Sequence, residues 1–385
     1  MKPRAMILAP NGGWDLAYGG GTKVALCMAN ILAALGYEVM MVSLLALPRL
    51  QLEKAHNISL DKRVTISCVH TLEKELSHIP FPIGFWLLSR HASQVLSRLK
   101  PDIAIFHDDV SKSVLRAAMA HGASTLLCVH FSYKVRALTP MLAISYSEEN
   151  ILQQLPLFAF VRKHFADLDE IDRVIVDSSV TKRLSEQFFP SQDMRIVYPP
   201  ADLGSPGGAK DRMIFHAGRQ DHTFLGDMLI EAQAVLSRSD NPIQTIVNRP
   251  SRAFLRRVRK LERTRGTSSA PRLTSAYASI LPKCMFYSHF KWFEPFGISC
   301  IEAMSYGAIP VIYRSPYNGP WTDVIRQGDF GLGFSSAAEF ADLVEGLACD
   351  DMKRNCLSTK AVTRSGDFSL QHYISSLSRV LLDTR

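Results

Sequence analysis

No stretch of this 385-residue chain approaches 18 uncharged apolar residues, which argues against a membrane-spanning helix. Cysteine offers no framework either. The seven (Cys27, Cys68, Cys128, Cys284, Cys300, Cys349 and Cys356) are odd in number, none are spaced C-x-x-C, and most sit in apolar runs. That pattern excludes a disulfide scaffold or cysteine zinc site and predicts buried free thiols in a reducing compartment. Met1–Pro10 has two basic residues but no signal-like apolar core, and reads as a first strand. A repeat of short fixed period is absent. Charge is not strongly one-sided: 44 Lys and Arg face 36 Asp and Glu. The excess is +3 through residue 200 and +5 beyond it, too even for a basic tail. Such a mild surplus suits phosphorylated ligands or an anionic surface. The expected location is cytoplasmic, with peripheral contact at the cytoplasmic membrane face as a further expectation.

What is present is an alternation of short apolar runs with helical patterns. At about 150 residues per domain, the length fits two domains. Strands are predicted at Ala5–Ala9, Glu38–Leu44, Val64–Val69, Ile103–Phe106, Thr125–Phe131 and Arg173–Val176. A Gly-rich loop over Asn11–Gly21 precedes a helix over Lys23–Leu35, closed by Gly36. Ala201–Asp211 (ADLGSPGGAKD) reads as a linker, after which the pattern restarts. Strands follow at Met213–Ala217, Ile243–Val247, Met285–Tyr287 and Ile309–Tyr313, with helices at Phe224–Leu236, Ala253–Arg263 and Ile298–Met304. The expectation is an α/β protein of two Rossmann-like, doubly wound domains facing across a cleft. Residues 1–200 form the first domain and 201–365 the second, and a helix in 366–385 is expected to pack back toward the first.

The stretch richest in chemistry is Phe293–Val311, FEPFGISCIEAMSYGAIPV. Glu294 precedes Pro295-Phe296-Gly297, a helix begins near Gly297, and Glu302 lies eight residues after Glu294. A helix N-terminus presents unpaired N–H groups and partial positive charge, which suit a diphosphate. Carboxylates on either side can accept hydrogen bonds from sugar hydroxyls. Spacing alone favours the plainer reading, in which Glu294 is a solvated loop residue and Glu302 an ordinary helix-surface position.

This stretch resembles the E-x7-E signature of retaining GT-B glycosyltransferases of family 4. Three other segments resemble that family in order. They are Gly19-Gly20-Gly21 with Val24–Val39, then VIVDSS … VYPPAD (Val174–Ser179, Val197–Asp202), then FHAGR (Phe215–Arg219). YPP, E-P-F-G-I and G-P-W-x-D at Gly319–Asp323 are also similar to lipid-linked-oligosaccharide mannosyltransferases. The resemblance implies transfer of a hexose, mannose favoured, from GDP-mannose or a UDP-sugar to a glycan or polyprenyl-linked acceptor. It implies retention of configuration and no metal or other cofactor. On this likeness Glu294 meets donor-sugar hydroxyls, Glu302 holds the donor ribose and Arg219 neutralises the diphosphate. Gly20 and Gly21 bring backbone amides to the phosphates, and Phe296, Gly297 and Ile298 wrap the leaving group. Alternatives on the same architecture are a nucleotide-sugar epimerase, a phosphorylase, or an inactive nucleotide- or glycan-binding relative.

His130 closes the apolar run Leu126–Val129 and is expected at a strand end facing the cleft. Alone it reads as structural. The resemblance places a catalytic histidine near the reacting carbon at a comparable position. His107 and Asp108, which close the preceding strand, are candidates for the acceptor side or for capping, as is Trp86 for the acceptor. Asp108-Asp109 lacks the spacing and context of a metal-binding D-x-D. The chain departs from the family's G-R-x-x-x-x-K at its last position, where Phe224 stands in place of Lys. His222, Lys283 and Lys291 are the candidate replacements. Asp177 stands where the family has Asn, a change expected to matter less.

Two surface features bear on partners. Phe81–Leu88 (FPIGFWLL) followed by Arg90 and His91 is either an interfacial segment gripping a lipid acceptor or a core helix. In Arg252–Arg265, apolar Phe254, Leu255, Val258 and Leu261 are expected to pack. Arg256, Arg259, Lys260 and Arg263 then form a solvated basic face suited to anionic headgroups. Aromatic residues are not interleaved with these charges, which argues against nucleic acid.

Overall fold

The computed structural model describes residues 2–9, 15–17, 19–71, 81–130, 159–160, 162–167, 170–187, 193–218, 220–221, 223–239, 241–265, 271–274 and 276–382. The chain divides into two compact units, Met1–Asp177 with Thr181–Val197, and Ser178–Val180 with Tyr198–Arg385. Among the described residues, no helix is long and apolar enough to cross a membrane.

The first unit contains β1 (Arg4–Leu8), β2 (Asp15–Leu16), α1 (Gly20–Ala34), β3 (Glu38–Ala46), α2 (Arg49–His56), β4 (Val64–Thr71), α3 (Phe81–Leu99), β5 (Ile103–His107), α4 (Lys112–Ala120), β6 (Ser124–Val129), β7 (Arg173–Val176) and β8 (Met194–Ile196). Helix α5 (Ser179–Glu186) follows β7. All strand pairs in this eight-stranded sheet are parallel, in the order β4-β3-β1-β5-β6-β7-β8, with β2 added at the end of β3. The order reverses between β1 and β5, so the loops after these two strands diverge and leave a crevice at their carboxyl ends. The central strands are buried along their length, as RAMIL and IAIFH require of strands covered on both faces.

The second unit repeats the plan with β9 (Asp211–His216), α6 (Gly226–Leu236), β10 (Gln244–Asn248), α7 (Arg252–Arg265), β11 (Arg272–Thr274), α8 (Tyr277–Ile280), β12 (Cys284–His289), α9 (Ile298–Ser305), β13 (Ile309–Tyr313), β14 (Leu332–Phe334), α10 (Ala337–Cys349), α11 (Asp351–Ser365) and α12 (Leu370–Leu382). Its six parallel strands run β11-β10-β9-β12-β13-β14, reversing between β9 and β12. Successive strand residues enter different cores, as the two-residue period of a strand dictates. Ile214, Phe286 and Val311 join Leu229, Phe254 and Phe340 on one face, while Phe215, Tyr287 and Ile312 join Ile301 and Met304 on the other.

Several boundaries differ from expectation. Helix α1 begins at Gly20, so Gly20 and Gly21 are its first residues and not loop. Helix α6 starts two residues after Phe224, and β12 runs for six residues where three were expected. The presumed linker after residue 200 is packed: the Ala201 amide donates to the Phe368 carbonyl, and the Tyr306 ring fills the space beside Gly204. Cys349 and Cys356 are exposed and Cys68 half-buried, because α10 and α11 carry the first two on polar helix faces. In α7 the apolar stripe packs through Phe254 and Val258, and Arg256, Arg259, Lys260 and Arg263 face solvent.

Candidate functional site

In the first unit, adjacent parallel strands carry polar side chains past their carboxyl ends. His107 ends β5, His130 follows β6 and Asp177 follows β7. His107 Nδ1 and His130 Nε2 are 3.0 Å apart, with the rings stacked. The Asp108 carboxylate accepts from the His130 amide at 2.9 Å. On the other side, Asp177 Oδ2 lies 3.8 Å from His130 Nδ1, and the Thr181 hydroxyl donates to Asp177 Oδ1 at 2.6 Å.

Burial acts to lower the basicity of His130, but the hydrogen bond with Asp177 and the charges of Asp108 and Asp177 outweigh it, so its pKa is raised. His107, fully buried and beside a second imidazole, is held well below the usual range. The two rings share one hydrogen bond, in which the raised basicity of His130 and the lowered basicity of His107 favour His130 as the donor. His107, Asp108 and His130 thus lie at the carboxyl ends of neighbouring strands, where the sequence pattern puts them, and Asp177 joins them from the next strand. An aspartate where asparagine was the norm is a charge, and it changes the state of the adjacent histidine. Asp177→Asn is expected to lower the His130 pKa, because a neighbouring negative charge and its hydrogen bond are lost, measurable by NMR titration of the imidazole. An unshifted titration would remove Asp177 from this role.

Gly20 and Gly21 open α1, with Gly20 exposed. Trp86 is not buried with the histidines. It is 58% exposed on α3 beside Ile83, itself 53% exposed, and the Arg90 guanidinium sits 5.7 Å from its ring centre. The side chains of Phe81 and Pro82 lie outside the described residues, as do Arg219 and His222.

In the second unit, the loops after β9 and β12 meet at the switch point. An antiparallel bridge joins Phe224 to Lys291, and the Leu225 amide donates to the Phe290 carbonyl. Phe224 turns its ring inward, stacked on His216 and edge-on to Phe254. Lys291 is buried, and its Nζ donates to Glu294 Oε2 at 2.8 Å and Asp221 Oδ2 at 3.3 Å. Asp221 is lowered: burial acts to raise it, but the Lys291 charge and bonds from Thr223 prevail. His216 and His289 are buried and held down to about 3 and about 4.

Glu294 is clamped by the segment that follows β13. Its amide donates to the Tyr317 carbonyl and its carbonyl accepts from the Gly319 amide at 2.7 Å. A Cβ on Gly319 would lie 2.0 Å from the Pro295 carbonyl oxygen, so no other residue lets these two backbones approach. The G-P-W-x-D segment thus holds the first glutamate in place. Its Asp323 accepts from the Ser179 amide and hydroxyl and from the Tyr198 hydroxyl, joining two further segments singled out in the sequence.

Gly297 caps α9 with φ +82°, a left-handed conformation that suits glycine, and its Cα faces the Pro320 ring. Phe296 is buried against Tyr198 and Phe368, so only its backbone is left to serve a ligand. Ile298 and Glu302 are half-buried on α9. The Tyr277 hydroxyl donates to Glu302 Oε2 at 2.5 Å; burial and the Glu302 charge push this phenol far up, so it stays a donor. No cluster of three His, Cys, Asp or Glu able to hold a metal ion occurs among the described residues.

Two doubly wound parallel units, each with its own switch point, are the architecture of the GT-B fold. Residues 18–205 match the sequence model of Glycosyltransferase Family 4. No curated protein matches the sequence. Among solved structures, a sucrose-phosphate synthase from Thermosynechococcus elongatus is similar over 100% of this chain and 99% of its own, with 16% identity and a TM-score of 0.73. Anabaena HepE in complex with UDP and glucose is similar over 99% and 100%, with 15% identity and a TM-score of 0.65. An S. aureus TarM mutant in complex with fondaparinux, alpha-GlcNAc-glycerol and UDP is similar over 98% and 99%, with 13% identity and a TM-score of 0.66.

Proposed function

We propose that the protein is a nucleotide-sugar-dependent hexosyltransferase that works with retention of configuration and without a metal ion. The observation that carries this reading is the second switch point. There Glu294, Lys291 and Asp221 gather beside the amino end of α9, and Glu302 follows on the same helix. Such a site offers carboxylate acceptors for sugar and ribose hydroxyls, and backbone N–H groups with a helix dipole for a diphosphate. Arg219 supplies the guanidinium that pairs with the diphosphate. In the first unit, His130 with its aspartates serves the reacting centre. His107 and Asp108 support it from β5.

The donor is a nucleotide diphosphate sugar. HepE and TarM in their solved complexes hold UDP, which supports a uridine donor, while the mannosyltransferase-like YPP and E-P-F-G-I segments favour GDP-mannose. The acceptor is a glycan or a polyprenyl-linked glycan. Exposed Ile83 and Trp86 with Arg90 on α3, and the basic face of α7, suit peripheral contact with an anionic membrane on its cytoplasmic side.

A thermal-shift panel of UDP, GDP and their sugars, with and without Mg²⁺, tests the reading. A ligand at about 100–1,000 times its dissociation constant adds about 3–4 kcal/mol, a shift of several degrees. Stabilisation independent of Mg²⁺ and lost in Glu302→Ala is the expected result and names the base. Absence of any response would leave an inactive relative.

A further inference from the structure

Lys291 is an unusual residue for its surroundings. Its side chain is 2% exposed, in a stretch of chain where Phe290 and Phe293 are also buried. Stripping an ammonium of water is costly, and a buried ion pair is often no more stabilising than an apolar residue of similar volume. The fold alone would be served by methionine. What distinguishes the position is its place: Lys291 stands two residues past β12, where the sheet order reverses and ligands of such sheets bind.

The groups facing it come from both sides of that reversal. Asp221 belongs to the loop after β9, and Glu294 and His289 to the β12 side, with His289 Nε2 4.0 Å from Glu294 Oε2. His216, at the end of β9, bonds the Ser288 carbonyl. Both histidines are neutral at ordinary pH, so Lys291 is the cation set among two carboxylates in this group of described residues. Its main chain is fixed as well: the carbonyl accepts from Asn318 at 3.0 Å, and the strand bridge ties it to Phe224. Lys283 cannot substitute. It precedes β12, about 20 Å away along a six-residue strand.

We propose that Lys291 is a positioning residue for Glu294. Its ammonium fixes Oε2, and with it the carboxylate plane, and its charge offsets Asp221 and Glu294 so that an anionic nucleotide diphosphate can settle at the same switch point. This rests on the donor-site reading above. The role is specific to this chain, in which position 224 is an apolar ring packed into the core.

The test compares wild type with Lys291→Met, Lys291→Arg and the charge-balanced double variant Lys291→Met/Asp221→Asn. Binding of UDP, UMP, GDP and GMP is measured by calorimetry, and kcat/KM is followed against pH. For Lys291→Met the expected result is at least a tenfold loss of diphosphate affinity, with less than threefold loss for the monophosphate. The acid limb of kcat/KM should move to higher pH, because Glu294 ionises less readily without its ammonium. Lys291→Arg should recover part of both. If Lys291→Met does not fold, the double variant takes its place, with recovered diphosphate binding but kcat still at least tenfold down. A folded variant with unchanged diphosphate affinity, kcat and pH profile would overturn the proposal while leaving the donor site intact. Failure of wild type to bind any of the four nucleotides would remove the donor-site reading and this inference together.

Discussion

Replacing Glu294 with glutamine is expected to lower sugar transfer by about 10²–10³-fold in kcat while the protein stays folded. The amide has nearly the shape of the carboxylate but one acceptor oxygen in place of two, and it adds two N–H donors. Lys291 Nζ, 2.8 Å from Oε2, selects the orientation that turns the amide oxygen toward itself. The NH₂ group is then left where a sugar hydroxyl would donate, and two donors meet. Asp221 remains as a partner for the lysine, so the ammonium is not left without a counter-charge. Initial rates with donor and acceptor, alongside the thermal midpoint, separate lost chemistry from lost fold. A folded Glu294→Gln enzyme turning over at the wild-type rate would remove Glu294 from the site.

The second large effect is acid instability. His216 and His289 are held down to about 3 and about 4, chiefly by burial, and no partner is found for His216 Nε2 or His289 Nδ1 among the described residues. In the unfolded chain a histidine takes its proton near pH ~6.5. Between that value and the folded pKa, the unfolded state binds more protons than the native one, so stability falls as the pH falls. At pH 4 each histidine costs about 3 kcal/mol, a total comparable with the stability of an ordinary domain. Asp221, lowered in the fold, acts later, as the pH drops below the usual carboxylate range. The thermal midpoint is therefore expected to fall steeply between pH 6.5 and pH 4, and His216→Phe should remove about half of that slope. A midpoint that stays flat over this interval would contradict the buried neutral state of both rings.

Most of this architecture is legible in the residues because strands buried on both faces must be short continuous apolar runs. Arg173–Val176 and Ile309–Tyr313 were located to the residue, and β1, β5 and β10 to within one at either end. Short or edge strands such as Met194–Ile196 and Leu332–Phe334 left no such run and went unseen. The E-x7-E spacing was readable for the same kind of reason: a glutamate, a left-handed glycine and a helix start are local, and Gly297 at φ +82° bears out the local turn.

Charge pairing was not readable, because it depends on which strand ends are neighbours. The sequence by itself determined two doubly wound α/β units, the helix that begins after Gly297, and the two glutamates beside it. Tertiary structure decided that Asp177 faces His130 across from β7, and that Lys291 bridges Asp221 and Glu294 next to the ring of Phe224. Asp177 and His130 are 47 residues apart, and Asp221 and Lys291 are 70 apart. Local spacing fixes which residues share a helix face or a turn. Only the strand order, β6 beside β7 and β9 beside β12, brings distant carboxylates, imidazoles and the lysine close enough to set one another's charge.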